Sequence, residues 1–274
     1  MAMTPSKPQP EAPFILLCGM EGGGKTTAAV NLVETFGGAI IPTESGLQAA
    51  TERDVVAFPL VPKSTPEKPD LFLDSLFECF EWCWENMKAG EVLVVDTATV
   101  LYQRLEQTVL NRYGESNIAA CAGGYGKGFL EIRTEMMAII DELNALRLEK
   151  DIAIVVPCHM TAGVLKNSPD VEAALCYTLA MDEKSAQLWK QQAHDVLCIA
   201  IDMVVTGTEI DNKGKVKQAG RIVKSSKRHL IADASVPAYA QLAKNRHGMP
   251  AKQVFPENSL EWIDDSKLAE WFNQ

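Results

Sequence analysis

Phe14-Ile15-Leu16-Leu17-Cys18 runs directly into Gly19-Met20-Glu21-Gly22-Gly23-Gly24-Lys25-Thr26-Thr27. Five consecutive apolar residues fit a strand buried on both faces. The stretch from Lys25 to about Phe36 fits a helix that stops at Gly37-Gly38. The turn between them has the pattern G-x-x-x-x-G-K-[ST], in the strand-then-helix context that gives the pattern its meaning. Glycines let backbone N–H groups wrap closely around phosphate oxygens, and the helix N-terminus adds partial positive charge. Residues Gly19 to Thr27 therefore predict a cradle for ATP. Lys25 is expected to reach the β- and γ-phosphates, and Thr26 to hold Mg²⁺ through its hydroxyl.

Such a site needs a second acid for the metal. Val92-Leu93-Val94-Val95 is another buried apolar run, and it ends in Asp96. Ligands of open α/β sheets sit at the C-terminal ends of the strands, so Asp96 is expected beside Thr26, holding Mg²⁺ through water. The plainer role for Asp96 is a helix cap, which Thr97 or Thr99 could fill instead. Thr97 stands where an AAA+ protein has Glu, so the water-orienting group must come from elsewhere. Glu44 follows the run Ala39-Ile40-Ile41 and is the candidate. His159 follows the strand 151–157 and is the candidate sensor of the γ-phosphate.

Strands alternate with helices along the chain, which predicts an α/β fold: a mostly parallel sheet flanked by helices. Helices are expected near 70–88, 98–113, 129–148 and 185–193. A hairpin from 196–205 to 215–223, through the turn Asp211-Asn212-Lys213-Gly214, predicts a late antiparallel addition. Residues 160–182 lack periodicity and read as an irregular segment. The expected organisation is a flexible leader at 1–13, one ATPase domain at 14–257 and a helical tail at 258–274.

The chain has 274 residues and a net charge of −10. Its longest apolar run, Ile152 to Cys158, is far short of a membrane span. With no apolar signal segment either, the expected location is the cytoplasm and no membrane partner is expected. Seven cysteines without a Cys-x-x-Cys pair read as reduced, buried thiols. Between residues 212 and 252 there are ten Lys/Arg and one acid, Asp233. That net +9 leaves −19 on the rest of the chain. The segment is either a solvated face or a surface for phosphates.

The order of strands, Glu44 after the second strand and Asp96 without a following Glu resemble the RecA class of P-loop ATPases. Lys244-Asn245-Arg246-His247-Gly248 resembles the Lys-Asn-Arg-Phe-Gly motif of the bacterial RadA/Sms proteins. The plan over about 14–250, with Gly123-Gly124-Tyr125-Gly126-Lys127-Gly128 before a long helix, resembles the phage-encoded RecA-like single-strand annealing ATPases. The resemblance implies a homo-oligomer, ring or filament, in which Lys244 and Arg246 reach a neighbour's γ-phosphate. It also implies single-stranded DNA as a partner, with a single-stranded-DNA-binding protein as a further one, and the cytoplasm of a bacterial host. Tyr125, Lys127, Lys224, Lys227 and Arg228 are the candidate DNA contacts, by stacking and charge. Tyr177 is a second aromatic candidate, and for Tyr125 the plainer role is packing. The rival function is a KaiC-like regulatory ATPase acting on proteins. A small-molecule kinase fits less well, because no Arg-rich lid is present.

Overall fold

Strands that are apolar at every position must be covered on both faces, and the chain supplies helices for both. A computed structural model describes residues 11–165, 174–207, 209–210, 216–218, 221–256, 259–264 and 266–273. In chain order the strands and helices begin with β1 (Phe14–Gly19), α1 (Lys25–Phe36), β2 (Gly38–Pro42), β3 (Val56–Ala57), α2 (Leu71–Asn86) and β4 (Val92–Asp96). Next come α3 (Ala98–Tyr113), α4 (Lys127–Lys150), β5 (Ala153–Leu165), β6 (Ala174–Leu179) and α5 (Glu183–Gln192). The chain then forms β7 (Asp195–Thr206), β8 (Glu209–Ile210), β9 (Val216–Gln218), β10 (Arg221–Ile231), β11 (Lys252–Val254), α6 (Glu261–Asp264) and α7 (Lys267–Phe272).

Nine strands form the main sheet, in the order β11-β10-β7-β1-β5-β4-β2-β3 with β6 added to β5. The pairs from β7 through β3 are parallel, and β10, β11 and β6 join antiparallel. This is the expected α/β plan with its late antiparallel hairpin. The alternation along each strand decides which helices cover it. Phe14, Leu16 and Cys18, with Ile154, Val156 and Cys158, face α2, α3, α4 and α5. Ile15, Leu17, Ala153 and Val155 face α1, α6 and α7. The C-terminal helices are thus part of the second core layer, where Phe272 stacks on Phe36. No helix among the described residues is long and apolar enough to cross a membrane.

All seven cysteines are free thiols, five of them buried. Cys18 is in register with Cys158 on one side and Cys198 on the other, a row of thiols across three central strands. Burial pushes the Cys18 and Cys158 thiols well up from their ordinary range.

Two expectations need correction. Residues 160–165 and 174–179 are not irregular: β5 continues to Leu165 and pairs with β6 through Met160↔Leu179 to Leu165↔Ala174. Past its buried base, Met160 and Leu179, this ribbon leaves the core, with Val164 48 % and Leu175 81 % exposed, so burial imposes no alternating pattern there. The late hairpin is longer than expected, because β10 runs on to Ile231 against β7. The polar run Lys224 to Arg228 interrupts the apolar pattern there, and the register shifts at the same place. Strand β11 had no signal in its three residues. Residues 1–10 of the expected leader at 1–13, residues 166–173 of the expected irregular segment and residues 211–215 of the expected hairpin turn lie outside the described residues.

Gly38 shows how tightly the second strand is seated. Its φ is +117°, and a methyl group there would lie 2.0 Å from the Val92 carbonyl oxygen. Gly38→Ala is expected to cost about 3 kcal/mol or more of stability. Gly46→Ala, with nothing within 4 Å of the added carbon, should stay within about 0.5 kcal/mol of the parent. Denaturant melts of the two variants check this; equal stabilities would contradict the pairing of β2 with β4.

Candidate nucleotide site

The sheet order dictates what can meet at the mouth of the phosphate-binding loop. Strand β5 lies between β1 and β4, so its end sits between the loop and the end of β4. Gly19, His159, Asp96 and the Pro42–Glu44 segment therefore converge at one edge.

Within the loop, Gly22 and Gly24 take positive φ, +67° and +98°. Gly23 donates its N–H to Met20 O at 3.0 Å, and a methyl group on it would lie 2.9 Å from that oxygen. Side chains are thus excluded from the cradle. Gly24 caps α1 with no side-chain acceptor, leaving the first helical N–H groups for an external anion. The Lys25 ammonium, on a side chain that is almost fully buried, donates to Gly19 O at 3.1 Å and Met20 O at 3.0 Å. It also lies 3.3 Å from His159 Nδ1. Burial lowers its pKa, and nearby Asp96 acts in the opposite sense.

Thr26 donates its hydroxyl to Asp96 Oδ2 at 2.8 Å. Asp96 is only 3 % exposed, and its other oxygen, Oδ1, is buried without a hydrogen-bond partner. Burial pushes the Asp96 carboxyl up to about 6, against the Thr26 hydrogen bond and with help from the like charge of Glu44. A desolvated carboxylate with one vacant oxygen, next to a hydroxyl, is a donor set that suits a hard cation such as Mg²⁺. Asp96 does not cap α3: the Thr97 hydroxyl accepts from Val100 N at 3.2 Å and takes that task.

Glu44 and His159 are neighbours, with Oε2 and Nε2 3.7 Å apart. Thr43, which the sequence did not single out, and Thr99, which it offered only as a helix cap, hold the strand ends around them. Thr43 accepts from Thr97 N at 2.8 Å and donates to Thr97 O at 3.1 Å, tying the end of β2 to the end of β4. Thr99 accepts the His159 N–H at 3.0 Å and contacts Cys158 Sγ at 3.3 Å, tying α3 to β5. The signal for Thr43 was position alone, next to Glu44. A cavity of about 410 Å³ opens over the loop, lined also by Glu44, His159 and Arg228.

A phosphate-binding loop, a hydroxyl–carboxylate pair and a polar group on the intervening strand make up a P-loop ATPase site. Over residues 11–247 the sequence matches the family described as an AAA domain. The chain belongs to that family. No curated protein matches it.

The other candidate residues of this AAA domain lie in four places. In the segment 244–248, Lys244 donates its ammonium to Lys190 O at 2.9 Å and Gln191 O at 3.3 Å, and also to Ala193 O. It thereby closes the C-terminal end of α5 within its own chain. Asn245 exchanges hydrogen bonds with Met249, at 2.7 and 2.9 Å. The fully buried Asp195 accepts from Arg246 N at 2.8 Å, from His247 N at 3.2 Å and from the His247 ring. Arg246 alone among these basic side chains is exposed. Tyr125 is fully exposed at the tip of its Gly-rich loop, so it does not pack, and Lys127 is exposed beside it. Tyr177 instead stacks on Tyr239, with centroids 4.9 Å apart. Lys227 is exposed, the side chain of Lys224 lies outside the described residues, and Arg228 faces the nucleotide cavity rather than the basic surface.

The Asp96 shift has a consequence for stability. The folded chain holds this proton more tightly than the unfolded chain, so stability from this group declines as pH rises from about 4 through 6. Above that window the ionised carboxylate costs on the order of 2–3 kcal/mol. Asp96→Asn, which keeps the acceptor for Thr26, should melt higher than the parent at neutral pH while losing Mg²⁺-dependent hydrolysis. The gain in melting temperature should shrink toward pH 4. A lower melting temperature at every pH would contradict the reading of Asp96 as a desolvated metal ligand.

Proposed function

We propose that this AAA-domain ATPase binds and hydrolyses ATP·Mg²⁺ in a homo-oligomer and acts on single-stranded DNA, as a phage-encoded RecA-like annealing or recombination protein. The observation that carries the ATPase reading is the convergence of Lys25, Thr26, Asp96, Glu44 and His159 at one sheet edge. Lys25 and the loop amides bind the β- and γ-phosphates, and Thr26 and Asp96 hold the metal. Bound Mg²⁺ supplies positive charge that offsets the charge on the phosphate oxygens. Glu44 orients the attacking water by accepting its hydrogen bond. His159 reads the γ-phosphate and lies at the root of the β5–β6 ribbon, where Ala180 N donates to His159 O at 2.9 Å.

The DNA reading rests on Tyr125, an aromatic ring left wholly in solvent beside Lys127. Such a pair suits base stacking and phosphate contact without base-specific readout. The oligomer reading rests on Arg246, the exposed member of a segment whose neighbours are all held by hydrogen bonds. A guanidinium on a fixed loop is suited to a neighbour's γ-phosphate. Lys244, committed to the end of α5, supports that loop.

Three outcomes are expected. Glu44→Gln should bind ATP normally yet turn over about a hundredfold more slowly, since it removes an orienting group rather than a binding charge. Single-stranded DNA should raise the ATPase rate, and this stimulation should weaken with salt and in Tyr125→Ala. Absence of any stimulation would favour a regulatory ATPase acting on proteins. Lys25→Ala and Arg246→Ala chains should each be inactive, and mixing them should restore part of the activity. If the mixture co-assembles and stays inactive, the role of Arg246 across an interface is wrong.

A further inference from the structure

Arg228 stands on β10, at the far side of the loop from Asp96. Strand β10 pairs with β7 up to Lys224↔Met203 and resumes at Arg228↔Ile201. Four steps on one strand thus match two on the other, a bulge of two extra residues. Bulges re-aim side chains and occur near active sites. Here Arg228 is aimed at the phosphate-binding loop: a methyl group on Gly24 would lie 3.5 Å from its Nη1 and 3.8 Å from its Cζ. The guanidinium lines the same cavity as Lys25, Glu44 and His159.

Gly24 is the residue before α1, so Arg228 approaches the positive end of that helix. Lys25 is already there. A polyphosphate bound over the loop lies within reach of both side chains and of the helix N-terminus. Gly24 and Thr27 line the same cavity as Arg228, and the planar fork of a guanidinium suits phosphate oxygens.

We propose that Arg228 is a nucleotide-binding residue, supplied by the same chain as the loop, that donates to the phosphate chain of ATP from the side opposite Asp96. The proposal rests on the P-loop reading of the site and adds a contact to it. It also removes Arg228 from the DNA-binding surface. The cation needed for phosphate binding is then partly carried by the antiparallel half of the sheet, so the seating of β10 on β7 sets nucleotide affinity.

The test is equilibrium titration of Mg·ATP and Mg·ADP without DNA, on the full chain. Arg228→Ala should weaken both by roughly tenfold to a hundredfold, the range for a hydrogen bond to a charged group. Arg228→Lys should recover part of the loss, because charge returns without the fork. Lys252→Ala, which changes an exposed lysine on β11, should bind as the parent does. Affinity for single-stranded DNA without nucleotide should be the same in Arg228→Ala and the parent. If Arg228→Ala does not fold, Arg228→Gln carries the same expectation. Parent-like nucleotide affinity in these variants, while Lys25→Ala has lost its affinity, overturns the proposal and leaves the site reading standing. Parent-like affinity in the Arg228 and Lys25 variants alike overturns both. Lost DNA affinity with intact nucleotide affinity returns Arg228 to the DNA surface.

Discussion

Asp96 is kept ionisable in a place that disfavours its charge, and much of the architecture follows from holding it there. Water could stabilise the carboxylate, but α3, β4 and the loop segment around Thr43 exclude it. The Thr26 hydroxyl satisfies one oxygen only. Such a group is poised for a cation and costs stability without one. The hydrogen bonds of Thr43, Thr97 and Thr99 then serve a common purpose. They lock the ends of β2, β4 and β5 together around a site with little intrinsic stability of its own.

The sequence revealed this site more fully than the edge of the fold. Gly19 to Thr27 and Val92 to Asp96 were legible because backbone geometry and burial on both faces leave few residue types to choose from. Glu44 and His159 were legible by position, each at the end of an apolar run. The β5–β6 ribbon was not, because only its base, at Met160 and Leu179, is buried, while Val164 and Leu175 farther along lie in solvent. The direction of Arg228 was not legible for a related reason. Within a run of basic residues its charge says nothing about direction, and direction is set by a bulge that depends on β7, more than twenty residues earlier.

The segment 244–248 illustrates how a short motif can be mostly scaffold. Its lysine, asparagine and histidine all bond within the chain, to α5, to Met249 and to Asp195. Val196 and Lys244 also exchange backbone hydrogen bonds, at 2.8 and 3.2 Å. The loop is thus attached to the strand next to β1, and a shift in one carries the other. A single carboxylate with no exposure, Asp195, joins the strand end to two loop amides and a ring. The geometry of Arg246 is inherited from β7 rather than from its own local turn.

The row formed by Cys18, Cys158 and Cys198 lies one residue below the loop and the cavity, within the sheet core. Thiols react as thiolates, and burial raises the Cys18 and Cys158 thiols so that they stay protonated. Electrophiles in solution meet only the two half-buried ones, Cys79 and Cys176, while the native sheet stays closed. Of these, Cys79 is slow, because burial raises it to about 11. Alkylation of the central row therefore reports the separation of β1 from its two neighbours, an opening on the scale of the whole sheet. The chain carries its own chemical clock for the lifetime of its closed core.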